Sequence, residues 1–122
     1  MTRMILEETR LHPAIREAIS QNQRDIVEEV SAAVDAHDIV VVGMAQNPAP
    51  KKARKLLEAA GLPHHYLEYG SYFNTWRRRN ALKMWAGWPT FPMVFVKRQL
   101  VGGADDLEKL LGSGELQKLL GR

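Results

Sequence analysis

Four consecutive β-branched residues, Ile39-Val40-Val41-Val42, constrain this chain more than any other stretch. A strand that is apolar at every position has no face to offer to water, so it must lie inside a sheet covered on both sides. Layers of helix have to supply that cover, and the flanking sequence reads as helix. Upstream, Ile15 and Ile19 share a face, and Ile26, Val30, Ala33 and Val34 recur at helical spacing. This helical segment runs to about Ala36 in one or two pieces. Pro13 suits its start, and Ser20-Gln21-Asn22-Gln23 marks a break. Downstream, Lys51 to Ala60 forms the next helix, stopped by Gly61 with Pro63 beyond it.

The remaining elements follow in turn. His65 to Tyr69 reads as a second strand, and a helix capped by Asn74 or Thr75 runs to about Trp85. Pro92 precedes a third strand, Met93 to Val96, and Lys97-Arg98 forms a tight turn into Leu100-Val101. Asp105 opens a helix through Leu111, and a last short helix covers Glu115 to Leu120. Strand–helix–strand at the start calls for a parallel pair, and strand–turn–strand later calls for an antiparallel hairpin. The order β-α-β-α-β-β-α therefore predicts an α/β protein with a mixed four-stranded sheet between helices.

Length and composition narrow the classes of function. A chain of 122 residues suits one compact domain, here a helical extension over 1–36 and a core over 37–122. No apolar run approaches the roughly 20 residues that cross a bilayer. Glu7 and Glu8 come too early for a secretory leader, so a cytoplasmic location and no membrane partner are expected. A net charge of +3 is too mild to point to nucleic acid. The chain has no cysteine, which excludes a disulfide framework and any chemistry that needs its own thiolate. No nucleophile elbow surrounds Ser71 or Ser113, and no phosphate-loop or dinucleotide fingerprint occurs. His64 and His65 are neighbours on a strand and point to opposite faces, while His12 and His37 are distant in sequence, so no metal site is expected.

Three separated motifs carry the functional signal. The first runs without a gap from Ile39 through the loop Met44-Ala45-Gln46-Asn47-Pro48-Ala49-Pro50 to Leu57. The second is Trp88-Pro89-Thr90-Phe91-Pro92, and the third is Leu100-Val101-Gly102-Gly103-Ala104-Asp105-Asp106. In this order and at this spacing they resemble the glutaredoxin family, and its monothiol members most closely. Glutaredoxins place Cys-Pro-Tyr-Cys at the first of these, and the monothiol members carry a Trp-Pro-Thr-x-Pro stretch and a Gly-Gly-Cys-Asp turn at the other two. The resemblance covers Ile39 to about Leu120 and implies a thioredoxin-like fold with a groove for glutathione. The backbone around Phe91 and a cis Pro92 would pair with the cysteinyl unit, with Thr90 beside it. Gly103, Ala104 and Asp105 would hold the γ-glutamyl end, the amides taking its carboxylate and Asp105 its amine. Arg79 falls where monothiol members grip the glycine carboxylate, a role suited to the guanidinium fork.

Three positions depart from that pattern. Asn47 and Pro50 occupy the usual cysteine positions, and Met44 stands where the family has a lysine. Without the thiolate, disulfide exchange and iron–sulfur cluster ligation are both lost, so no cluster is expected. The resemblance thus implies a redox-inactive pseudoenzyme with no catalytic residue. It would bind glutathione or a related small thiol peptide, or an acidic or extended protein segment, as a regulatory module. The alternative is an interaction or homodimer module built on the N-terminal helices, through Ile15, Ile19, Ile26 and Val30, with a vestigial groove.

Local physics has its own reading of several of these residues. Asn47-Pro48 is a good N-cap followed by a good first helical residue. Lys51, Lys52, Arg54 and Lys55 form a solvated basic face, or else dock an anion at the helix start. Trp76 is expected to pack inward while two of Arg77, Arg78 and Arg79 meet solvent. Trp85 and Trp88 are expected in the core or as a groove wall.

Overall fold

The β-branched run forms β1 (Ile39–Gly43), in which every residue is buried. Its side chains part alternately to two apolar clusters, Val40 and Val42 to one, Ile39 and Val41 to the other. The computed structural model describes residues 3–70 and 76–121. Three strands join β1: β2 (His65–Glu68), β3 (Met93–Val96) and β4 (Gln99–Gly102), in the order β2-β1-β3-β4. β1 runs parallel to β2 and antiparallel to β3, and β4 is antiparallel to β3. This is the mixed sheet that the connection lengths predict. The β3–β4 turn is made by Lys97 and Arg98, both at positive φ, 49° and 68°.

Helices close both faces. On one side α2 (Arg24–Ala36) and α4 (Trp76–Ala86) cover Val40, Val42, Met93 and Phe95. On the other, α3 (Pro48–Ala59), α5 (Ala104–Ser113) and α6 (Glu115–Leu119) cover Ile39, Val41, Val94 and Val96. Ahead of them lie a 3-10 turn at Glu8–Arg10 and α1 (Pro13–Gln21), in which the Ala14 amide donates to the His12 ring. The N-terminal segment is therefore two helices, broken where Gln23 takes φ of 50°. They are not equivalent: α2 buries Ile26, Val30 and Val34, whereas α1 buries nothing.

One expectation is overturned and one falls elsewhere. Trp76 does not pack inward; it is 56% exposed, and Arg79 is the buried residue of that run, at 6%. The reason is helix phase. Leu82 faces the sheet, and six residues of α-helix place Trp76 about 120° around the cylinder from it. The cap expected from Asn74 or Thr75 lies outside the described residues.

Candidate functional site

Asn47 sits between β1 and α3 in extended conformation, and its side-chain Oδ1 accepts the Ala49 amide at 3.0 Å. Pro48 follows as the first helical residue, so the loop is an N-cap with a proline behind it. Pro50 costs no helical hydrogen bond, since amides of the first turn have no partner within the helix. It packs instead against Gly43, where a Cβ would come within 2.7 Å of the Pro50 ring. The other end of the Asn47 amide leaves the helix: Nδ2 donates to the Phe91 carbonyl at 3.5 Å. Phe91-Pro92 is a cis peptide. The first motif is thus tied to the second.

The second motif meets the third. A Cβ at Gly103 would lie 3.6 Å from the Pro92 carbonyl oxygen and 3.8 Å from Trp88 Nε1. Gly103 caps α5, and its amide donates to Asp106 Oδ2 at 3.0 Å, so that donor is already engaged. Ala104 and Asp105 open the helix, and their amides belong to the turn that finds no carbonyl within it. Asp105 is also drawn back to the first motif. Lys52 Nζ lies 3.0 Å from Asp105 Oδ1 and 3.2 Å from Glu108 Oε2. Those two hydrogen bonds, the one to Asp105 the stronger, raise the Lys52 ammonium above its usual lysine range. Asn47, Phe91, Pro92, Gly103 and Asp105 therefore converge at one end of the sheet. Thr90 is exposed beside them, and Ala104 is buried behind Asp105.

Arg79 is placed differently. Its guanidinium is buried and donates to the Tyr69 carbonyl at 3.2 Å, just past β2. Met44, at the family's lysine position, is buried in the same cluster as Phe91 and Tyr69. An apolar side chain and an inward-held arginine thus stand at the two positions expected to meet the glycine carboxylate. Nearby, the cleft lined by Met44, Asn47, Lys51, Arg54, Tyr66 and Glu68 has a volume of about 460 Å³. Arg54 stacks over the Tyr66 ring at 4.1 Å, and the Tyr66 hydroxyl donates to Glu68 at 3.0 Å.

Two features escape a reading along the chain. Lys52 reads as one of four basic residues on a helix surface, yet it alone among them bridges to α5; the pairing spans 53 positions. His37 and His65, remote in sequence, stack with ring centroids 4.2 Å apart. Among the described residues no group of three or more His, Asp or Glu is arranged to hold a metal ion. The Gly103–Asp106 cap could have been found, since a small N-cap residue with an acid three positions on is a helix-start signature.

Sheet order, helical cover and a cis-proline loop facing a helix N-terminus define a thioredoxin-like protein whose helix cap carries an amide in place of a thiol. No protein-family model matches the chain. It is 45% identical over 98 residues to a glutaredoxin-like protein of Dictyostelium discoideum, covering 80% of each chain. It is 33% identical over 101 residues to monothiol glutaredoxin-4 of Schizosaccharomyces pombe, covering 79% of this chain but only 40% of that one. Oxidised glutaredoxin 2 of Chlamydomonas reinhardtii superposes with a TM-score of 0.69 at 25% identity, over 83% of this chain and 95% of the other. Buckwheat glutaredoxin, solved in complex with glutathione, superposes at 0.70 and 19% identity, over 83% and 92%. The chain belongs to the glutaredoxin family.

Proposed function

We propose that this chain is a redox-inactive glutaredoxin homologue that works as a binding or regulatory module, with glutathione or a related γ-glutamyl or extended peptide as its ligand. The observation that carries this reading is the convergence of three sequence-distant motifs around the Phe91 carbonyl and the start of α5. The polar backbone there suits strand-like pairing with a peptide, and the opening turn of α5 suits a carboxylate. Thiol–disulfide exchange needs a thiolate, and a chain without cysteine cannot supply one. An iron–sulfur cluster does not fit either, because it is held by thiolates and the corresponding Asn47 amide is engaged at both ends. Met44 and the inward Arg79 weaken the grip on the glycine end, so binding would centre on the other two units.

An amide-resolved NMR titration with reduced glutathione, taken into the millimolar range, tests the proposal. Shifts concentrated at Asn47, Phe91 and Gly103 to Asp105 are the expected result. A spectrum unchanged at those positions would overturn it.

A further inference from the structure

We propose that the face made by the N-terminal segment, α1 and the outer side of α4 is where two copies of this chain meet. A groove of about 810 Å³ runs between α1, α2 and α4, lined by Ile15, Ile19, Val27, Ala81, Met84 and Trp85. Ile15 and Ile19 remain 48% and 49% exposed there, Met84 69% and Trp85 39%. The patch continues into the segment ahead of α1. Arg3 donates to the Ala86 carbonyl at 3.1 Å, which ties that segment to the C-terminal end of α4. Met4, Ile5 and Leu6 follow directly, exposed at 100%, 66% and 56%.

Area argues for a protein-sized occupant. Monomers rarely expose a contiguous apolar patch beyond a few hundred Å². Seven large apolar residues are exposed here together, and a standard interface takes about 800 Å² from each partner. Charge argues for a second copy. The charged residues lining the groove are Arg24 and Glu28, and they neutralise each other in an ion pair of 2.7 Å. A groove whose lining charges cancel can lie on its own two-fold image without like-charge repulsion. Lys51 and Lys55 are exposed on α3, which covers the other face of the sheet, and an acidic partner would be drawn there instead. The groove at the start of α3 plays no part in this contact, and the two proposals stand or fall separately.

Light scattering coupled to size-exclusion chromatography on the full chain tests this. The wild type should run at twice the chain mass of 13.8 kDa at concentrations of about 10 μM. Ile19→Glu and Met84→Glu, both at exposed positions, should each raise the dissociation constant at least about tenfold. Their far-UV circular dichroism should match the wild type. Lys109→Glu, on α5 across the sheet, should leave the dimer unchanged. A wild type that stays monomeric at about 100 μM overturns the proposal. So does a dimer that Ile19→Glu and Met84→Glu weaken no more than Lys109→Glu does.

Discussion

Asn47 uses both ends of one side-chain amide: Oδ1 closes the first turn of α3, and Nδ2 reaches the Phe91 carbonyl. A cysteine at this position could do neither as well, so the residue at the nucleophile's position also ties the start of α3 to the cis-proline loop. Asn47→Ala should lower stability by about 1 kcal/mol, the usual cost of a lost N-cap, while Asn47→Ser should cost much less. Chemical denaturation of the three proteins checks this; equal midpoints for alanine and asparagine would show that the cap contributes nothing. Lys52 acts at the opposite wall. It holds Asp105 and Glu108 in an exposed ion pair, and in the proposed binding mode a ligand amine would compete with it for Asp105. Exposed pairs are weak, so the effect is modest. Lys52→Gln should tighten glutathione binding by about two- to five-fold. Unchanged or weaker binding by calorimetry would mean that Asp105 does not meet the ligand.

The β3–β4 hairpin shows what an element discloses locally and what it costs. Lys97 and Arg98 both adopt positive φ, as the two-residue turn of a right-twisted hairpin requires, and neither is glycine. A side chain in that conformation costs about 1–2 kcal/mol per residue. Among the described residues Arg98 has an exposed contact to Asp35, at 3.8 Å, to set against it. Arg98→Gly should therefore raise the melting temperature by several degrees, which differential scanning calorimetry would read; a fall would mean that the Asp35 contact outweighs the strain. The hairpin was legible because turn and strands are contiguous, and so was β1, because four β-branched residues allow little else. The Asn47 cap was legible for the same reason. Trp76 was misread because the apolar periodicity of α4 is too weak to give its rotational phase, which Leu82 and the sheet set. The Lys52–Asp105 bridge and the His37–His65 stack join residues that only the folded sheet brings together. The site was thus legible as three motifs, and the cross-links among them were not.

At the scale of the whole molecule, the edge strand β2 couples the two apolar layers through two tyrosines of opposite parity. Tyr66 packs toward α3, and its hydroxyl donates to Glu68. Tyr69, just past the strand, packs toward α2 and α4, and its hydroxyl donates to Glu29. Burial, with Glu68 adding to it, pushes the Tyr66 phenol up to about 12 from a tyrosine's ordinary 10.0. Burial first, then Glu29, raises Tyr69 as well. The sign follows from proton counting. Above pH 10 the unfolded chain loses both phenolic protons while the folded chain keeps them, so the native state binds more protons and stability falls as pH rises. The contribution is complete below the unfolded value and is lost progressively toward pH 12. Lys52, also raised, works in the same direction from an exposed position. Urea midpoints should accordingly be level through neutral pH and drop between pH 10 and 12. The drop should be shallower in Tyr66→Phe, in Tyr69→Phe, and most of all in the double variant. With no cysteine in the chain, no thiolate titration or disulfide exchange can produce such a slope. A double variant that falls as steeply as the wild type would place the alkaline transition on the lysines instead, and would sever the link between β2 and the two cores.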